Sequence, residues 1–307
     1  MYLDFAKAFD KVPHQRLINK MKSLGIGGDT LRWTENWLKN RRQRTVLNGS
    51  FSEWLDVLSG VPQGSVIGPL LFVIFINDID GCAERITTLL KFADDTKIGN
   101  RITSVTDQQN LQDCLDQLTN WADTWCMTFN TEKCKVLHVG RGNPRYTYKI
   151  NGVELEETEK ERDIGVIVTE DLKPTQQCAE ASRRASAVLT QITKAFLYRD
   201  RKVFLQPYKQ FVRCHLEFAV PAWCPWSVGD IEILERVQRR AVNLIVGLKG
   251  QTYEEKMMEL GITSLLERRK KMDLIQTFKI INGLDDVKSF TLVGLNNVRQ
   301  TRNTNCE

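Results

Sequence analysis

Three aspartates lie inside apolar runs: Asp4 in "YLDFA" at the start of the 307-residue chain, and Asp94 with Asp95 in "LLKFADDTK". A carboxylate beside a core is costly unless something positive binds it. Acids brought together from separate strands suit a pair of Mg²⁺ ions, hard cations that take oxygen ligands and leave room for phosphate and water. Such a pair orients an attacking hydroxyl and stabilises the leaving oxygen in phosphoryl transfer. Each motif alone also has an ordinary reading, since Asp-Asp is a common turn and Asp4 suits a strand edge.

The elements that must position these acids follow from pattern. Residues 1–9 predict a strand, and 13–24 a helix that Gly25 ends. Residues 30–40 predict a second helix. "RTVLNGSFSEWLDVLSG" gives two β-rich runs around Asn48-Gly49, a hairpin signal. After "VPQGSVIG" an apolar helix is expected over 69–79, with Pro69 in its first turn. "TTLLKFADDTKIGN" predicts a hairpin with an acidic turn. Residues 104–127 predict a long helix, with Leu111, Leu115, Leu118, Trp121 and Trp125 at helical period. "CKVLHVG", "YTYKINGVELE" and "RDIGVIV" read as three short strands. From Pro174 to about Asn282 nearly everything reads as helix, and 283–307 is a polar, weakly patterned tail. Strands and helices therefore mix early and helices dominate late, an α+β pattern with domains expected at 1–168 and 169–282.

Composition narrows the function class. The longest apolar run, Leu70 to Ile76, is far short of the roughly 20 residues of a membrane span, and no secretory leader opens the chain. The eight cysteines form no CxxC pair, so reduced core thiols are expected. Cys126, Cys134 and His138 lie near one another, but their spacing matches no zinc finger and reads as core. The net charge of +5 is unevenly placed: residues 183 to 213 hold eight Lys/Arg against one acid, Asp200. Solvated helix faces and a phosphate-tracking surface fit that run equally well.

Five stretches, "LDFAKAFD", "GVPQGSVIGPLLF", "KFADD", "FNTEKCKVLHVG" and "RDIGVIV", follow one another in this order. Together they resemble the reverse transcriptases of non-LTR (LINE-type) retrotransposons, most of all the jockey-related group. The resemblance spans residue 1 to about 285. It implies a polymerase palm, an antiparallel sheet with helices packed on one face, then an all-helical thumb and C-terminal region, with fingers absent. It further implies an RNA-directed DNA polymerase core, adding deoxynucleoside triphosphates to a DNA primer on an RNA template with two Mg²⁺ ions, or Mn²⁺ in their place.

Carried over residue by residue, Asp4, Asp94 and Asp95 match the palm carboxylates. Asp4 and Asp94 are then the bridging metal ligands and Asp95 the more peripheral one, because adjacent strand residues point opposite ways. Asp10 is expected to satisfy backbone donors where the strand gives way to a helix. Phe9 matches the bulky residue that excludes a 2′-hydroxyl, and Gln63 and Gly64 the loop that touches the incoming nucleotide. Lys133 matches a lysine near the departing pyrophosphate. Gly165 lies in "DIGV", similar to the turn that grips the primer end, where the family more often has aromatic-Leu-Gly. The basic helices after 173 resemble a thumb, with Arg183, Arg184, Arg201 and Lys202 tracking the hybrid backbone.

The same resemblance bears on the ends. Family members carry fingers before the first aspartate strand and commonly an endonuclease further upstream. "VRQTRNTNCE" resembles an Arg-Thr-Arg-Gly stretch without its glycine. Met1 is therefore expected to be a cut edge of an intracellular enzyme, nuclear or cytoplasmic, whose 307 residues bind nucleic acid but polymerise weakly or not at all alone. The alternative is a catalytically silent retroelement remnant that at most binds nucleic acid.

Overall fold

In the computed structural model, which describes residues 1–83, 86 and 88–285, the opening apolar run pairs as a strand only over Tyr2–Leu3 (β1). The expected strand over 1–9 ends early for a backbone reason. Phe5 makes an isolated bridge to Phe129, Lys7 turns left-handed at φ 52°, and the chain enters a short helix, Ala8–Lys11 (α1). His14–Ser23 (α2) follows and Gly25, at φ 81°, ends it. Gly28–Leu38 (α3) leads to four short strands, Arg42–Gln43 (β2), Val46–Leu47 (β3), Ser50–Phe51 (β4) and Leu55–Asp56 (β5). They pair β2 with β5 and β3 with β4, forming one long hairpin around Asn48 and Gly49, both at positive φ as a primed turn requires. Gly68–Ile76 (α4) runs into a 3₁₀ stretch, Asn77–Ala83. Thr88–Phe92 (β6) and Asp95–Gly99 (β7) form the acidic hairpin.

Val105–Thr124 (α5) begins on a capping box between Ser104 and Asp107. Lys135–Leu137 (β8), Lys149–Ile150 (β9), Val153–Glu154 (β10) and Glu156–Thr158 (β11) come next. "YTYKINGVELE" is thus several strands and not one, because Asn151 and Gly152, both at positive φ, reverse the chain. The main sheet runs β11-β8-β1-β7-β6, antiparallel throughout except for the parallel pair of β11 with β8.

Alternation along β1 and β7 sorts the sheet into two faces. Leu3, Phe5, Thr96 and Ile98 are buried, whereas Tyr2, Asp4, Asp95 and Lys97 are not. Leu3, Phe5 and Ile98 join one cluster with Leu17 and Met21 of α2, Phe72 and Phe75 of α4, and Leu115 and Leu118 of α5. Each such large apolar side chain contributes about 1.5–3 kcal/mol on burial, so the helices are held to that face. Lys20 of α2 is buried with them, donating to the Phe75 carbonyl and, at 2.7 Å, to Asp78 Oδ1, its Nζ 3.6 Å from the Trp125 ring centre. Burial pulls its pKa down despite Asp78.

The chain divides into two units, Met1–Glu161 with Thr169–Leu172, and Arg162–Val168 with the described residues from Lys173 onward. Lys160–Asp163 (β12) and Val166–Thr169 (β13) form a two-stranded hairpin. The helices beyond are Thr175–Ala195 (α6), Arg201–Pro207 (α7), Arg213–Glu217 (α8), Val228–Asn243 (α9), Tyr253–Leu260 (α10) and Leu265–Ile281 (α11). Pro207 cannot donate into the ladder, and a π-turn, Tyr208–Val212, absorbs the defect. Phe204, Tyr208, Leu216, Leu234 and Leu265 fill a separate core, tied by Tyr208 donating to Gln238 Oε1 at 2.7 Å. No helix among the described residues is long and apolar enough to cross a membrane. The stretch "VRQTRNTNCE" lies outside the described residues.

Candidate active site

Asp4 follows directly on β1, which pairs Tyr2 with Lys97 and Leu3 with Thr96 of β7. Continuing that register by one residue sets Asp4 opposite Asp95. Directly opposed residues share a face, so both carboxylates stand on the side of the sheet away from the helices. Asp94 is not on a strand. β6 pairs Phe92 with Asp95, leaving Ala93 and Asp94 as a two-residue turn in which Ala93 is left-handed at φ 53°. Of the adjacent pair it is Asp95 that shares Asp4's face, with Asp94 at the tip beside it.

On its other side β1 meets β8, with Tyr2 opposite Lys135. A turn at 131–133 brings the chain back: Asn130 donates its N–H to the Asp4 carbonyl at 2.8 Å. The same turn holds Lys133 Nζ 3.2 Å from Asp4 Oδ2. That Oδ2 is buried and accepts no hydrogen bond, the ammonium being too poorly aligned to donate. Cys134, fully buried under Asp4, takes the Asp4 N–H on its sulfur at 3.5 Å, and burial pushes its thiol pKa up.

An acceptor withheld from water and left without a donor is what a hard divalent cation fits. Among the described residues no three His, Cys, Asp or Glu side chains converge enough to hold a metal by themselves. An Mg²⁺-type ion does not need that, because it uses one or two carboxylates and completes its shell with water and substrate phosphate. The donors present, all carboxylate oxygen, are of the right kind. Two cations on the same face escaped the sequence reading. Lys97 lies two residues beyond Asp95, its Nζ 5.7 Å from the Tyr2 ring centre, and Lys135 pairs with Glu156. The signal for Lys97 was available in the period-two spacing from Asp95.

Phe9 lies in α1, half-buried, stacked on Phe72 with ring centres 4.5 Å apart. Its carbonyl accepts from the Val61 N–H at 2.8 Å, which clamps the loop of Gln63 and Gly64 against α1. Both loop residues are exposed. Gly60 makes the clamp possible: at φ 91°, a Cβ there would come within 2.7 Å of the Asp10 carbonyl oxygen. Asp10 differs from expectation. Its Oδ1 accepts from the Gln63 side-chain amide at 3.1 Å, tying α1 to the loop, and the Ala8–Lys11 helix has no side-chain cap. Ser65 then starts α4, donating to the Pro62 carbonyl and accepting from the Gly68 N–H.

The remaining sequence candidates belong to the second unit. Ile164 and Gly165 form the turn between β12 and β13, both at positive φ, 45° and 86°. A Cβ on Gly165 would stand 3.0 Å from the Phe218 ring. On α6, Arg183 and Arg184 both donate to Glu180, at 2.8 and 2.7 Å, and their guanidinium groups hold its carboxyl at about 2. The basic run is therefore less cationic here than its count suggests. Arg201 and Lys202 are exposed in the first turn of α7.

Comparison with known proteins completes the picture. Residues 1–177 match the model of the family "Reverse transcriptase (RNA-dependent DNA polymerase)". The chain is 32% identical over 181 residues, 56% of its length, to the RNA-directed DNA polymerase from mobile element jockey of Drosophila funebris. It is 24% identical over 258 residues to a probable RNA-directed DNA polymerase from transposon X-element, and 25% over 267 residues to one from transposon BS, both of Drosophila melanogaster and each covering 80% of this chain. The matches span 19% of the jockey relative and 28% of each of the other two.

Proposed function

Because the chain belongs to the reverse transcriptase family, we propose that it is the palm and thumb core of an RNA-directed DNA polymerase from a non-LTR retrotransposon. The family implies a divalent metal, a nucleic-acid template and primer, and nucleotide substrates. The observation that carries the finer reading is the β1–β7 register, which sets Asp4 opposite Asp95 beside the Asp94 turn, with Asp4 Oδ2 buried and accepting no hydrogen bond. Asp4, Asp94 and Asp95 would hold the two Mg²⁺ ions, which when bound would supply the positive charge that eases loss of the primer 3′-hydroxyl proton and offsets charge on the transferred phosphate.

The chain's own side chains do the positioning. Phe9, braced by Phe72, presents a flat ring that excludes a 2′-hydroxyl. Gln63 and Gly64, clamped through Asp10 and Val61, border the nucleotide. Lys133 turns from Asp4 to the departing pyrophosphate. Gly165 supports the primer end, and Arg183, Arg184, Arg201 and Lys202 follow the RNA–DNA backbone.

Mn²⁺ binding by the purified chain, followed by electron paramagnetic resonance with and without a deoxynucleoside triphosphate, tests this. Binding should tighten when triphosphate is present and drop at least about tenfold in Asp4→Asn and Asp95→Asn, because a bound hard cation depends on its few carboxylates. Asp10→Asn should leave it unchanged. Any primer extension on an RNA template should vanish in the first two variants. Asp4→Asn retaining wild-type Mn²⁺ affinity would refute the site.

A further inference from the structure

No residue from Lys39 to Ser59 is buried, so the β2–β5 hairpin has no core of its own. One of its faces is nonetheless ordered. The ladder sets Arg42 opposite Asp56 and Val46 opposite Phe51. The register changes by one residue between these pairs, a bulge that turns Trp54 towards Arg44. Arg42 lies 5.7 Å from the Trp54 ring centre, and Arg44 lies 4.6 Å from Trp54 and 4.2 Å from Phe51. The face therefore runs arginine, tryptophan, arginine, phenylalanine, and the two aromatic side chains keep about half their surface open, at 48% and 59%.

Flat cations and flat rings in alternation, unsupported by any core, are a poor way to stabilise a hairpin. They are a good way to hold unpaired bases, which stack on an aromatic face or a guanidinium plane while arginines meet the phosphates. From Lys39 to Ser59 the chain carries Lys39, Arg41, Arg42 and Arg44 against Glu53 and Asp56, so its charge suits a polyanion. We propose that this face binds an unpaired stretch of RNA by base stacking on Trp54 and Phe51. The occupant, RNA, rests on the functional reading above, whereas the stacking geometry stands on the hairpin alone. Stacking on a ring is tolerant of sequence, since every base has a π-face, so the grip should follow any strand it meets.

The test uses the purified 307-residue chain and fluorescence anisotropy with three probes: an oligouridylate, an abasic ribose-phosphate strand of equal charge, and an RNA–DNA hybrid. Oligouridylate should bind about tenfold tighter than the abasic strand, the lower range of base–aromatic stacking. Trp54→Ala with Phe51→Ala should erase that preference and leave the abasic and hybrid affinities unchanged. Trp54→Phe should keep it. Arg42→Glu with Arg44→Glu should weaken oligouridylate and abasic strand together. Because the side chains touch no core, melting temperature should not move. A preference that survives the double aromatic substitution would overturn the inference, and so would a change of oligomeric state in that variant on sedimentation. Loss of hybrid binding on reversing Arg183, Arg184, Arg201 and Lys202 belongs to the broader functional reading and is measured separately from the oligouridylate preference.

Discussion

Lys133 Nζ stands 3.2 Å from Asp4 Oδ2, on the β8 side of β1, while Asp95 faces Asp4 from the β7 side. The lysine occupies the electrostatic place of a cation. It is 67% exposed and can swing away at little cost, so the pair is a weak latch and not a structural bridge.

Removing that latch should favour the metal. In Lys133→Ala, Mn²⁺ affinity at Asp4 should rise about two- to fivefold, the range that exposed ion pairs contribute. If Lys133 meets the departing pyrophosphate as proposed, any nucleotide addition should nevertheless fall with the loss of that cation. Isothermal titration with Mn²⁺ measures the first effect. An affinity that falls or does not move would mean the ammonium does not compete with the metal.

Gly60 should be intolerant of any side chain. In Gly60→Ala the new methyl meets the Asp10 backbone within 2.7–2.9 Å, and φ at 91° is unfavourable for an L-residue. The two effects together should cost about 2–4 kcal/mol in urea unfolding. The damage should also reach the site, since Asp10, Gln63 and the Phe9 carbonyl move with the loop. Unchanged stability would mean that α1 is free to shift.

Local signals account for what the sequence revealed. The Asn48-Gly49 hairpin, the acidic hairpin at Asp94-Asp95 and the capped helix after Ser104 each announce themselves within a few residues. What stayed hidden depends on partners far along the chain. Nothing in the type of Lys7 foretells the left-handed turn that cuts β1 short, and the parallel pairing of β11 with β8 joins residues about twenty apart across an intervening hairpin. Which carboxylate of the Asp94-Asp95 pair faces Asp4 was decided by register, and register is set by Leu3 of β1 and Ile98 of β7 both seeking the core. The neutralising of Arg183 and Arg184 by Glu180 was visible, in contrast, as plain i,i+3 and i,i+4 spacing.

The start of α5 should be sensitive to acid. Asp107 Oδ2 accepts from the Thr103 hydroxyl at 2.7 Å and N–H at 2.8 Å, and from the Ser104 N–H at 2.9 Å. These bonds, the Thr103 hydroxyl foremost, hold its pKa at about 2, below the ordinary 3.8. A carboxyl whose folded pKa is depressed adds stability above its unfolded value and loses it as pH falls through the folded one. Wild type should therefore melt higher than Asp107→Asn at neutral pH. The gap should close between about pH 4 and pH 2. A gap that is flat across that window would mean the carboxylate contributes nothing that its amide cannot.

Ile164 is the odd residue of the β12–β13 turn. It is β-branched, 55% exposed, and held at φ 45°, a region that costs an L-residue about 1–2 kcal/mol. The turn needs two positive φ values in succession, and Gly165 meets that demand without strain whereas isoleucine does not. Asparagine is at home in that conformation, so Ile164→Asn should stabilise the protein by about 1 kcal/mol in urea unfolding. Strain that persists at an exposed turn points to a use for the side chain. If the turn braces a primer end, Ile164→Asn should weaken binding of an RNA–DNA hybrid with a recessed 3′ end and leave a blunt hybrid unaffected. A variant that is both more stable and an equal binder would leave the isoleucine without a role in the grip, and a less stable variant would show that the turn relaxes differently from its backbone angles.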